Sequence, residues 1–184
     1  MEEKRNFDLL TLGQVLLRLS PPNNDRLVRG DTFVKQVGGA ELNVAVGVAL
    51  LGLRTGVISK LPSHDMGSFM KGKIRSYGVS DDFFMYDDSP SARVGIYYYE
   101  NGAYPRKPKV IYDRANSSFY SLKIDEIPEK AYTASRCFHT SGITLALSPK
   151  VRETTIEMIK RFKAAGTLVG KLLDSHLIKG ILSS

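Results

Sequence analysis

The chain has 184 residues, 42% hydrophobic and 24% charged, which excludes wholesale disorder and suffices for one domain with a real core. Its formal net charge of +7 raises nucleic acid as a partner, but the basic residues are scattered and not interleaved with aromatics, which argues against it. The apolar runs are too short to span a bilayer, and the single cysteine, Cys137, excludes an internal disulfide and fits a reducing compartment.

In chain order, the opening Met1-Glu2-Glu3-Lys4-Arg5-Asn6 lacks the apolar core of a secretory signal, so a cytoplasmic location is expected. Residues 7–12 (FDLLTL) read as a buried strand closed by Gly13. Residues 14–20 and 31–37 both read as extended, with Pro21-Pro22-Asn23-Asn24 breaking the first, and together predict a small antiparallel excursion. Gly38-Gly39 then turns into a helix over 40–51 that is apolar nearly all round, which predicts deep burial. Gly52 ends it and 55–61 (TGVISKL) is the next strand; that order suggests a βαβ unit and a parallel sheet.

A second helix is predicted over 66–77, ended by Gly78, with a short strand near 83–86. Residues 93–100 (RVGIYYYE) are strongly β-prone, and 109–113 (KVIYD) look like their antiparallel partner across the turn-rich Asn101-Gly102-Ala103-Tyr104-Pro105. Residues 136–140 (RCFHT) read as a core strand. Ser148-Pro149 opens a helix, with serine at the cap and proline at the first helical position. Gly166 stops that helix, and Thr167-Leu168-Val169 begins another parallel strand. After Gly170 the pattern degrades into leucines, lysines and serines.

Two constellations carry chemistry. Gly38 and Gly39 let the backbone turn sharply and approach a ligand, and the helix that follows presents N–H groups and a positive dipole end at the same place. Asn43 lies one turn after Gly39 on the same face, with Gly47 one turn further on. Such a site suits an oxygen-rich or anionic small molecule; the alternative is a tight helix-to-sheet contact with Asn43 bonded to nearby backbone. The second set is Tyr97, Tyr112 and Arg114 on two neighbouring β-like segments. An arginine flanked by a tyrosine suits a planar carboxylate; the alternative is an exposed cross-strand pair on a small sheet. Gly67 to Ile74 nearly spells a phosphate-binding loop, but Ile74 stands where the metal-binding hydroxyl is needed and the segment reads as helix. His64, His139 and His176 form no metal-spaced set with Cys137, and no residue is singled out as catalytic.

Three stretches together carry a family resemblance: VGGAELN at 37–43, VIYDR at 110–114 and HTSGITLALSP at 139–149. Over about 7–169 the chain resembles ribokinase-like sugar kinases, and more narrowly the 2-keto-3-deoxygluconate kinases. The resemblance implies an α/β three-layer sandwich with a parallel central sheet, plus a β lid built from about 14–38 and 93–114. It implies transfer of the γ-phosphoryl group of ATP, assisted by Mg²⁺, to a hydroxyl of a keto sugar acid. Gly38, Gly39 and Asn43 fall where the family binds the sugar acid, and Tyr97, Tyr112 and Arg114 fall where lid and core residues hold it. Pairing of lids across a homo-oligomer is also implied.

The family's following strand carries Asp-x-Asn-x-Arg, where this chain has Gly170-Lys171-Leu172-Leu173, and the Gly-Ala-Gly-Asp element of its anion hole and general base is absent. The expectation is therefore an N-terminal, substrate-binding portion over 1–169, truncated relative to the family and without the catalytic half. A tail at 170–184 is expected not to match the family. The alternative is a non-catalytic sugar-acid-binding or lid-dimerisation fragment.

Overall fold

The structure, a computed structural model, describes residues 5–172, with side chains described through Gly170. Of the tail expected at 170–184, residues 173–184 lie outside the described residues. In chain order the strands are β1 (Phe7–Leu12), β2 (Leu16–Ser20), β3 (Val34–Gly38), β4 (Thr55–Pro62), β5 (Val79–Ser80), β6 (Phe84–Asp87), β7 (Gly95–Glu100), β8 (Lys109–Asp113), β9 (Ser135–Ser141) and β10 (Leu168–Leu172). The helices are α1 (Ala40–Leu50), α2 (Asp65–Ser76), the one-turn α3 (Lys130–Thr133) and α4 (Gly142–Leu145), and α5 (Pro149–Ala164).

The predicted parallel sheet is present, in the order β10-β9-β1-β4-β5, with β6 also pairing with β4. β1 lies between β4 and β9, and all these pairings are parallel. β5 and β6 lie in succession along β4, facing Thr55–Gly56 and then Ser59–Pro62. The strand expected at 167–169 runs on as β10 through Leu172, which pairs with Ser141.

Helices cover both faces of this sheet. On one face Leu10, Leu12, Ile58 and Phe138 pack with Val151, Met158 and Phe162 of α5. The Phe138 and Phe162 rings stack at 4.0 Å. On the other face Val57 and Leu61 meet Leu42 and Ala45 of α1 and Met70 and Ile74 of α2. Each fully buried aliphatic or aromatic side chain contributes about 1.5–3 kcal/mol, so these facing stripes hold the three layers together.

Local chemistry explains the helix ends. The Ser148 hydroxyl accepts from Val151 N at 3.2 Å, with Pro149 in the first turn, as expected of α5. Nδ1 of His64 accepts from Met66 N at 3.2 Å and starts α2. The expectation that α1 is deeply buried is corrected: only Glu41, Leu42 and Ala45 are buried, while Leu50 is 81% exposed. A helix meets a sheet along one stripe, and the 3.6-residue period turns Asn43, Gly47 and Leu50 to the far side even when the sequence is apolar throughout.

The two β excursions form one four-stranded sheet, β3-β2-β7-β8. β2 with β3 and β7 with β8 are antiparallel, and a parallel β2–β7 pairing joins the halves. The chain leaves the central sheet for this second sheet after β1 and after β6, at the C-terminal ends of parallel strands, where α/β sheets place their ligands.

Candidate functional site

The site begins where β3 meets α1. Gly39 has φ +148°, and a Cβ on it would lie 2.6 Å from the Gln14 carbonyl oxygen. Only glycine accepts both the dihedral and the contact. The turn therefore packs its backbone against the segment that links β1 to β2. At Gly38 a Cβ would lie 2.6 Å from the Tyr97 hydroxyl, so the phenol reaches across from β7 onto the glycine pair. Burial raises the Tyr97 pKa above its ordinary value, and the group is a neutral phenol, able to donate, at neutral pH.

Tyr112 stands opposite Tyr97 in the β7–β8 register, with the ring centroids 6.0 Å apart. The Arg114 guanidinium carbon lies 5.7 Å from the Tyr112 ring centroid, within reach of a cation–π attraction. Arg114 Nε donates to Gln14 Oε1 at 2.7 Å. Gln14 Nε2 in turn donates to the Arg114 carbonyl at 3.0 Å and to Ser117 Oγ at 2.7 Å. The neighbouring carboxylate Asp113 is engaged by Arg93 at 2.8 Å. Among the described residues the two terminal nitrogens of Arg114 have no protein partner, and its charge is not paired with a carboxylate.

Gly38, Gly39, Tyr97, Tyr112 and Arg114 are thus linked in one chain of contacts through Gln14. Asn43 follows one helical turn on. Its N–H donates to the Gly39 carbonyl at 2.9 Å as a helix bond, and its side chain is exposed with no hydrogen bond among the described residues. The expected alternative, an amide tied to backbone, does not occur.

Sequence reasoning missed the supports of this site. Gln14 is 3% exposed, and its partners are 100 and 103 residues away. Glu41, inside the glycine motif itself, is 2% exposed. Its Oε1 accepts from Ser141 N at 3.1 Å, from Ser141 Oγ, and from Thr144 Oγ1 at 2.7 Å, fastening the start of α1 to the end of β9. Gly13 makes room for this carboxylate, since a Cβ there would overlap Glu41 Oε2. The only signal in sequence was an acid in a first helical turn.

The near-phosphate-loop at 67–74 lies inside α2, as its helical reading required. A Cβ on Gly67 would overlap the Pro62 carbonyl oxygen, so that glycine serves close packing of α2 on β4. Behind Ser117 lies a cavity of about 460 Å³ reached by Lys60, Asp87 and Asn116. Its buried Lys60 is paired with Glu126 at 2.6 Å. Among the described residues no group of three or more His, Cys, Asp or Glu side chains could hold a metal ion, and no helix is long and apolar enough to cross a membrane.

A family described as pfkB family carbohydrate kinase matches residues 6–181. A 2-dehydro-3-deoxygalactonokinase of Haloferax volcanii is 39% identical over 160 residues, covering 87% of this chain and 49% of that protein. A 5-dehydro-2-deoxygluconokinase of Shouchella clausii is 30% identical over 174 residues, covering 94% and 52%. The crystal structure of 2-dehydro-3-deoxygluconokinase from Thermotoga maritima shares the fold with a TM-score of 0.85 at 36% identity, over 91% of this chain and 51% of that one. The chain spans about half the length of the curated relatives it matches. Its parallel sheet, its second four-stranded sheet and a family match over nearly its whole length agree: the chain belongs to the pfkB family of carbohydrate kinases.

Proposed function

We propose that this chain carries the acceptor-binding part of an ATP-dependent, Mg²⁺-assisted kinase that phosphorylates a six-carbon 2-keto-3-deoxy sugar acid of the 2-keto-3-deoxygluconate type. One observation carries the reading. Arg114 is held at the lid by Gln14, beside Tyr112, with its terminal nitrogens directed to no protein carboxylate among the described residues. Paired N–H groups of that kind suit a planar carboxylate, at about 1.5–3 kcal/mol for each charged hydrogen bond. The Gly38-Gly39 backbone, the Tyr97 phenol and the exposed Asn43 amide supply the polar contacts for keto and hydroxyl oxygens. The names of two relatives, kinases of 2-dehydro-3-deoxy sugar acids, support the same substrate class.

ATP and Mg²⁺ belong to this proposal through the family. The described residues do not offer a fit for them: the near-phosphate-loop at 67–74 is helical, and no acidic cluster suits a metal ion. The glycine turn and the lid residues therefore bind and orient the acceptor. A second reading, a non-catalytic acid-binding part that pairs through its lid, is favoured by the exposed Phe33, Val34, Val110 and Ile111 on the lid strands and their approach. A lid-to-lid homo-oligomer belongs to that reading.

Calorimetric titration with 2-keto-3-deoxygluconate tests the site. Arg114→Met is expected to weaken binding tenfold or more, about 1.4 kcal/mol, while leaving binding of a neutral ketohexose unchanged. No binding to the unsubstituted chain would overturn the proposal. Coupled ADP release adds a second arm: turnover would overturn the expectation that the catalytic half is absent, and binding without turnover supports an acid-binding part.

A further inference from the structure

We infer that Gln14 is a positioning residue, whose carboxamide sets the Arg114 guanidinium in the orientation that takes the carboxylate of the ligand. The inference rests on the acid-binding reading above and adds the group that makes the arginine specific.

Gln14 closes a ring on Arg114. Its Oε1 accepts from the side-chain Nε, and its Nε2 donates to the backbone carbonyl of the same residue. One carboxamide therefore holds both ends of the arginine. The direction of the amide follows from the partners: an arginine Nε–H can only donate, and the Arg114 carbonyl can only accept. Ser117 Oγ, at 2.7 Å from Nε2, fixes the amide further.

Geometry then decides which edge of the guanidinium remains. The group is a rigid planar fork. Engaging Nε commits one edge and leaves the end-on pair of terminal nitrogens, a bidentate match for a carboxylate. Arginine carries about 2 kcal/mol of rotamer entropy. A side chain already held loses less of it on binding, which favours affinity.

The surroundings are shaped to admit this clamp. At Gly95 a Cβ would lie 2.8 Å from Gln14 Nε2 and 3.4 Å from the Arg114 Cα. A side chain there would displace the amide or the arginine backbone. Asp113, adjacent to Arg114 in sequence, is engaged by Arg93, and Arg93 also donates to the Ala115 carbonyl at 3.1 Å. The chain thus keeps its nearest carboxylate away from the arginine while giving that arginine a fixed acceptor.

The test uses the full chain, titrated with 2-keto-3-deoxygluconate and with a neutral ketohexose. Gln14→Leu is expected to lower acid affinity about tenfold and leave the neutral sugar within about twofold. Gln14→Glu, which loses the donor to the Arg114 carbonyl and places a competing carboxylate on the guanidinium, is expected to lower acid affinity at least as much as Gln14→Leu. In an Arg114→Met background, Gln14→Leu is expected to have no further effect on the acid. Equal losses for acid and neutral sugar, or additive losses in the double variant, would overturn the inference.

A second measurement needs neither ligand nor a folded leucine variant. In nitrogen-resolved NMR of the ligand-free chain, the Arg114 Nε–H, identified by its loss in Arg114→Lys, is expected to exchange slowly with water. Exchange as fast as in an exposed arginine would overturn the clamp. If the unsubstituted chain binds no acid, the functional reading fails, and with it the ligand half of this inference. The Nε–H measurement still decides the clamp by itself.

Discussion

At the scale of single residues, Gly39 at the start of α1 and Gly47 within it illustrate how differently one residue type acts. Gly39 combines φ +148° with a Cβ position 2.6 Å from a backbone oxygen, which cannot swing aside. Gly39→Ala is expected to cost about 1–3 kcal/mol in urea unfolding and to weaken acid binding. Gly47, two turns on, faces open space with nothing within 4 Å of its Cβ position. Gly47→Ala is expected to stabilise the chain by about 0.5–1 kcal/mol. Equal effects at both positions would refute the distinction. The glycine pair was legible in the sequence because its requirement is local. Gln14 was not, because its value depends on Arg114 arriving from 100 residues away.

At the scale of elements, α2 is fastened to the strand that follows it by Asp81. Its carboxylate takes Arg75 Nε at 2.6 Å and Lys71 Nζ at 3.4 Å. Burial pushes the Asp81 pKa up, but the hydrogen bonds from Arg75 and Lys71 outweigh it, and the net shift is downward. The folded pKa is therefore below the unfolded value of about 3.9. The stability from this shift is fully present above that pH and is lost as pH falls through the folded pKa. Asp81→Asn is expected to cost about 0.2–1 kcal/mol at pH 7, and chemical denaturation is expected to show the gap closing below about pH 4. A gap independent of pH would sink this account. The helix and strand were legible from periodicity and from Gly78. The fastening was not, since many surface carboxylates have a basic residue six positions away.

At the scale of the whole molecule, β3-β2-β7-β8 is a separate sheet held together by its own polar hub. Glu100 is 6% exposed. Its carboxylate accepts from Leu27 N at 2.9 Å and from Arg106 at 3.0 Å, and Arg106 donates to the Asn24 carbonyl at 2.7 Å. The loops of both excursions are thereby tied to each other. Glu100→Ala is expected to speed amide exchange around residues 22–27 and 101–106 while the central strands keep their protection. Equal acceleration in β1 and β9 would show that the two sheets open as one unit.

Apart from the two-residue β5 and the one-turn α3 and α4, the sequence by itself determined the order of the longer strands and helices, both β excursions, the Gly38-Gly39 turn, the Ser148 cap and the family. Those follow from backbone preferences and from hydrophobic period, which act between near neighbours in the chain. The tertiary structure decided which face of α1 is covered, because an apolar helix does not announce the stripe that its sheet will take. It also decided the Gln14–Arg114 clamp and the burial of Glu41 against Ser141 and Thr144. Side chains about 100 residues apart meet only when strand register brings them to the same end of the sheet, and register is a property of the assembled fold.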